Sequence, residues 1–274
     1  MKTVTPVAAS VIKRHSLITR LTHWINALAM AVLLMSGLQI FNAHPSLYWG
    51  QSGFAPGTAW LHIGTDARDP SQGTLRVGHT SFRTTGFLGV STAAGWTEAK
   101  AFPGWLTIPS QRDLSTARRW HFFFAWALAI NGMLYLSAAI LSGHLQRDLW
   151  PRRAELAPRH LAAELWSHLR LRFPKGEAAR HYNVLQKLSY VAVVLGLGPL
   201  IVLTGLTMSP GFNAVAPFLI DMFGGRQSAR SIHFIAANLL LAFFVVHILA
   251  LLAVGVWNEL RSMFTGRYVL ARKE

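Results

Sequence analysis

The chain has no cysteine in 274 residues. That excludes disulfides, thiolate-held iron–sulfur clusters and a CxxCH haem attachment. Any metal centre must draw on His, Met, carboxylate or backbone ligands. Charge is the second scarcity. Only 14% of residues are charged, against 52% hydrophobic. A soluble domain usually carries more charge, so the balance points to a polytopic membrane protein. Acid is scarcest of all, with 11 Asp and Glu against 26 Lys and Arg, a net charge of +15.

Long apolar runs are plentiful. Four are long enough to cross a bilayer as helices, at about 17–40, 118–144, 184–208 and 230–257. The first is too long for a secretory signal and lacks a cleavage-type ending. The fold class read from this pattern is an all-α membrane protein. It is a four-transmembrane-helix bundle with a long outer loop, 41–117, and a cytoplasmic amphipathic segment.

The basic excess could suggest nucleic acid, but its distribution argues for topology instead. Lys2, Lys13, Arg14 and Arg20 lie at the start of the chain. Arg147, Arg152, Arg153, Arg159, Arg170, Arg172, Lys175 and Arg180 follow the second span, and Arg261, Arg267, Arg272 and Lys273 follow the fourth. With four spans, all three groups fall on one side. By the positive-inside rule both termini are cytoplasmic. The expected partner of this charge is anionic lipid, with no nucleic acid.

The outer loop is rich in Gly, Pro, Ser and Thr, with scattered aromatics from Tyr48 to Trp105. It reads either as an ordered cap or as a loop whose aromatics rest at the lipid interface. AWLHIG (59–64) and RTTGFLGV (83–90) are candidate strands or interfacial pieces. In 151–172, Leu161, Leu165, Trp166 and Leu169 recur at helical spacing beside an Arg- and His-rich face, as in an interfacial helix. No internal repeat stands out.

Ionisable residues inside spans carry the functional argument, because burying them in lipid is expensive. His233 and His247 share one span, fourteen residues apart. At 3.6 residues per turn they point nearly the same way, roughly 21 Å apart along the axis. His23 lies early in the first span and His121 at the start of the second. With alternating span direction, His121 shares a depth with His233, and His23 with His247. Two imidazoles on opposite sides of a plane make an axial pair for haem iron, with no open position for oxygen chemistry. Gly37, Gly132, Gly205, Ser36 and Thr204 would leave room for a macrocycle, and Arg20, Arg118, Arg119 and Arg230 lie where propionates would emerge. The expectation is two bis-His haems b. Taken singly, each His is more often a helix–helix hydrogen-bond partner, and each small residue a packing residue. His15, His144, His160, His168 and His181 read as solvated, and His44, His62 and His79 match no compact metal motif.

RLTHWINALAMAVLLMSG (20–37) and HFIAANLLLAFFVVHI (233–248) are similar to the bacterial cytochrome b561 / nickel-hydrogenase cytochrome b superfamily. FNAHPSLYWG (41–50) and the long loop resemble its thiosulfate-reductase-type cytochrome b branch. The resemblance implies one membrane cytochrome b domain over 1–274, with ligands at His23, His121, His233 and His247. It implies electron exchange with membrane quinone as part of a respiratory chain. It also implies a periplasmic partner such as a molybdopterin oxidoreductase, which would make the chain an electron-transfer subunit of an oxidoreductase complex. Two alternatives stay open. One is a stand-alone quinol oxidase of cytochrome b561 type. The other is a small membrane transporter whose histidines relay protons or bind a metal; against it, Pro199 interrupts only one span.

Overall fold

A computed structural model describes residues 10–53, 57–93, 95–170, 172 and 182–270. His181, Lys2, Lys175, Arg180, Arg272 and Lys273 lie outside the described residues, as does Leu171 of the amphipathic segment.

Four helices are long and apolar enough to cross a membrane: α1 (Leu17–Ala43), α2 (Leu114–Leu141), α4 (Val184–Met208) and α7 (Arg226–Val254). Three of the starts have a local cause. Ser16 Oγ accepts the amide of Thr19 at 3.2 Å before α1, and Asp113 Oδ1 accepts that of Thr116 at 2.9 Å before α2. These hydrogen bonds from Thr116 hold the exposed Asp113 carboxyl below the usual range. Asn183 opens α4 with a reciprocal capping box to Gln186. Because Asp113 caps α2, that helix starts four residues earlier than the charge boundary at Arg118 suggests. Gly143 (φ 69°) and Gly255 (φ 119°) follow the ends of α2 and α7 in backbone conformations open mainly to glycine. In α4 a wider π-turn occupies Ala192–Leu197, just before Pro199. Proline has no amide hydrogen and its ring crowds the carbonyl four residues back; widening the turn accommodates both defects. Little of each span is buried by the rest of the protein, as expected of surfaces that meet lipid.

Contacts gather the chain into two compact units, and every span contributes residues to each. The first comprises Met1–Trp24, Asn131–Gly198 and Leu239–Glu274. Here α3 (Pro158–Leu169) lies inside the amphipathic segment and leaves Leu165, Trp166 and Leu169 exposed. Glu155 reaches the buried Lys187 ammonium of α4 at 2.8 and 3.0 Å. No strand is expected near either terminus from the sequence, yet β1 (Ser10–Lys13) pairs antiparallel with β8 (Arg267–Leu270). Arg14 fastens this clasp, 3.5 Å from Glu259 and 4.4 Å from the centre of the Tyr268 ring. Between α7 and β8 runs α8 (Val256–Thr265).

The second unit comprises Ile25–Ile130 and Pro199–Asn238, the latter with the short helices α5 (Pro210–Val215) and α6 (Phe218–Met222). It contains the long loop, whose described residues form an ordered cap. Strands β2 (Ser46–Leu47), β3 (Leu61–Thr65), β4 (Gly73–Val77) and β5 (Thr80–Arg83) form one antiparallel sheet; β6 (Ser91–Ala93) and β7 (Trp96–Glu98) form a hairpin. AWLHIG runs into β3, whereas RTTGFLGV is mostly turn, held by Thr84 and two positive-φ glycines. The cap has its own core: Phe41, Leu47, Ile63 and Ala101, packed by Trp60, Leu75, Phe102 and Phe234. Phe41 and Phe234 come from α1 and α7, so the cap core is built directly on two spans.

Candidate functional site

The same helix that carries two of the candidate histidines also holds the cap. The amides of Gln227 and Ser228, in the first turn of α7, donate to the carbonyl of Gly50 at 3.0 and 3.2 Å. Such first-turn amides have no partner within their own helix. Ser228 Oγ accepts the Gly50 amide at 2.7 Å. Arg230 donates to the carbonyls of Ser46, at 2.9 Å, and of His44. Ser231 Oγ donates to the Tyr48 carbonyl at 2.6 Å and accepts the Trp60 indole N–H at 2.9 Å.

One turn further on, His233 faces His121 of α2. Their ring centroids are 6.2 Å apart and their planes are tilted by 59°. Each ring is held from behind by the same device. Ser36 Oγ–H donates to the Val32 carbonyl at 2.6 Å, which leaves its lone pairs for His121 Nδ1 at 3.1 Å. Thr204 Oγ1–H donates to the Leu200 carbonyl at 2.7 Å and meets His233 Nδ1 at 3.0 Å. Because each hydroxyl spends its own proton on a backbone carbonyl, we assign the ring proton to Nδ1 in both imidazoles, which leaves the lone pair on Nε2. Gly37 and Gly205 complete the seats. A Cβ there would sit 3.3 Å from Cε1 of His121 and 3.4 Å from Cε1 of His233, respectively.

In the other unit His23 faces His247, with centroids 6.4 Å apart and planes tilted by 53°. Aromatic rings bound this pair. Trp24 stands edge-on to His23 at 5.3 Å, and Phe243 stacks on His247 at 5.8 Å. His23 Nδ1 is buried and meets no hydrogen-bond partner among the described residues. A buried polar atom without a partner is costly.

Both separations are too long for a direct ring-to-ring hydrogen bond. Such a bond of about 2.9 Å, plus roughly 1 Å from each nitrogen to its ring centre, would bring the centroids to about 5 Å. A metal–imidazole bond is about 2 Å, and two of them in line with the same ring radii give about 6 Å. The side chains therefore fit a metal group held between neutral imidazoles. Among the described residues no three His, Cys, Asp or Glu gather into a metal-binding cluster.

The candidate arginines are placed differently from one another. Arg230 spends two nitrogens on the carbonyls of His44 and Ser46. Arg119 donates to Thr116 Oγ1 at 2.9 Å, and Arg118 lies 5.5 Å from the Phe122 ring centre. Arg20 donates to the Phe264 carbonyl, while its buried Nε has no partner among the described residues. Gly132 has open space beside it. His144 pairs with Asp148 at 2.6 Å, and His168 meets the Glu164 carbonyl at 2.8 Å. His15 departs from the solvated reading: burial first, then the Arg14 charge, pushes its pKa down to about 4. His62 bonds Ser46 Oγ at 2.8 Å and His44 stacks on Tyr48. Burial lowers the pKa of both His44 and His62. From sequence alone, Ser36 and Thr204 count only as small side chains. Their part as Nδ1 partners is visible only when the helices are placed side by side.

Residues 14–266 match the family described as prokaryotic cytochrome b561. The chain belongs to that family. It is a membrane electron-transfer protein of the cytochrome b561 type, and the family binds haem b. A relative from Azospira oryzae, named "Putative protein-methionine-sulfoxide reductase subunit YedZ1", is 28% identical over 229 residues. The match covers 84% of this chain and 85% of that one. No solved structure matches.

Proposed function

We propose that this cytochrome holds two haems b, one between His121 and His233 and one between His23 and His247. It passes electrons between the quinone pool and a redox partner that docks on the cap. The observation that carries this reading is the presence of two facing histidine pairs at nearly equal separations, 6.2 and 6.4 Å between ring centroids. Haem supplies reversible one-electron transfer without a proton requirement. The chain supplies the rest. Neutral imidazoles offer Nε2, Ser36 and Thr204 hold two of the rings, and apolar helices exclude water.

The cap supports a docking role. It is ordered, it presents Trp49, Trp96 and Trp105 to the outside, and it is bonded to the turn of α7 that precedes His233. The partner expected is a periplasmic molybdopterin oxidoreductase, with the chain as its electron-transfer subunit. The Azospira oryzae relative, named as a reductase subunit, agrees with this assignment. In the same reading the protein lies in the bacterial inner membrane with both termini cytoplasmic, and its basic segments face anionic lipid.

Pyridine-haemochrome analysis of purified protein should give two haems b per chain, and quinol should reduce both. A ratio near one in fully loaded protein would leave one pair structural. The absence of b-type bands would favour the transporter reading.

A further inference from the structure

The device that seats His121 recurs at His233, and so does its local sequence. On α1, Ser36-Gly37-Leu38 faces Ala117-Arg118-x-x-His121-Phe122 of α2. On α4, Thr204-Gly205-Leu206 faces Ala229-Arg230-x-x-His233-Phe234 of α7. The parallel extends to burial. Ser36, Thr204, Ala117 and Ala229 are each fully buried. The buried alanines lie four residues, about one turn, before each histidine, on the same helix face. In each case the hydroxyl is back-bonded to the carbonyl four residues earlier, which turns its lone pairs to Nδ1 of the facing ring. The chain thus contains a short repeat of a hydroxyl-glycine seat and an Ala-Arg-x-x-His-Phe ligand turn. A search for one fixed period misses it, because the long cap separates the first seat from its ligand turn and only a short connection separates the second.

We infer that Ser36 and Thr204 are positioning residues for the His121/His233 centre. By accepting Nδ1–H they hold each ring in the tautomer that presents Nε2, and they make that nitrogen a stronger donor. The inference rests on the two-haem reading. The His23/His247 pair has no comparable contact at His23, whose Nδ1 is without a partner among the described residues. The two centres therefore differ in ligand strength. A stronger donor favours the oxidised metal, so the His121/His233 centre is the lower-potential one for equal surroundings.

The test uses the full-length protein in lipid nanodiscs, with Ser36→Ala and Thr204→Val. These changes remove the hydroxyls and nearly keep the shapes. Wild type should titrate in two one-electron steps with two low-spin ferric signals in electron paramagnetic resonance. In each variant one step moves to higher potential and one low-spin signal changes, while the other step and signal stay. Haem affinity at the altered centre falls about tenfold. Ser36→Thr and Thr204→Ser, which keep the hydroxyl, restore the wild-type pattern. Unmoved steps in fully loaded Ser36→Ala and Thr204→Val overturn the inference, since a packing role would leave the potential alone. Haem loss that the hydroxyl-keeping swaps fail to restore overturns it too, because shape would then be what matters. A wild type with fewer than two low-spin centres removes the two-haem reading on which the inference stands.

Discussion

The two histidine pairs are alike in separation and unlike in support. His121 and His233 each have a hydroxyl on Nδ1, a glycine behind the ring and a bonded cap beyond. His23 and His247 have aromatic rings around them, and His23 Nδ1 is buried without a partner among the described residues. The first pair is seated by hydrogen bonds with fixed direction. The second is bounded by stacking and edge contacts, which tolerate rotation better. The difference teaches that equal spacing between imidazoles does not imply equal preorganisation. A ligand pair is specified by what lies behind its rings as much as by the gap between them.

The strongest way to break the comparison is to remove one histidine from each pair in turn. His233→Ala and His247→Ala should each lower the haem content from two to one per chain, and the surviving haem should differ between them. Pyridine-haemochrome ratios and low-spin signals read this directly. If either variant loses both haems, the pairs do not act as separate centres.

Next in size is an ion pair in the unit that holds His23 and His247. Lys187 is buried and Glu155 is its partner. Glu155→Ala leaves the buried ammonium without its carboxylate, at a cost of about 3 kcal/mol. Thermal unfolding in detergent should shift to lower temperature, and Glu155→Ala with Lys187→Met should recover most of the loss. A wild-type melting curve for Glu155→Ala would show that the pair contributes little.

A smaller effect is expected in the other unit. Arg230→Gln removes charged hydrogen bonds to the carbonyls of His44 and Ser46, at about 2 kcal/mol. Limited proteolysis within 41–117 should quicken, while both haems stay bound. Haem loss from this variant would make Arg230 part of the cofactor site and would place the propionate reading ahead of the cap reading.

The smallest expected effect is a pH dependence confined to the His23/His247 unit. His15 is held neutral, with its pKa pushed down from 6.5 to about 4 by burial and by Arg14. The unfolded chain therefore binds the extra proton between these values, so this contribution is intact above pH 6.5 and declines as pH falls toward about 4. His15→Gln should flatten that part of the melting-temperature profile. An unchanged slope would mean that other groups set the acid sensitivity.

Much of the architecture was legible without coordinates. Apolar length and the absence of interior charge decide four spans locally, because a bilayer leaves a run of some twenty apolar residues little choice but helix. The same periodicity puts His233 and His247 on one face. Helix starts were less legible, since Asp113 caps α2 from outside the apolar run. The β1–β8 clasp was invisible, because it joins two short segments at opposite ends of the chain and neither alternates strongly. His15 misled because its burial is tertiary: His23 and His144, distant in sequence, lie close enough to bear on its charge. Arg230 looked like one of four equivalent cations, and only the cap brings the carbonyls that take its donors.

The sequence by itself determined the membrane class, the four helices, the facing directions along each helix and the absence of thiolate chemistry. These follow from composition and from a 3.6-residue period, which are local. Only the tertiary structure decided which hydroxyl stands behind which imidazole, that the long loop is an ordered cap, and that one histidine pair is fully seated while His23 in the other is not. Those features depend on side chains far apart in the chain, and no local rule places one helix face against another.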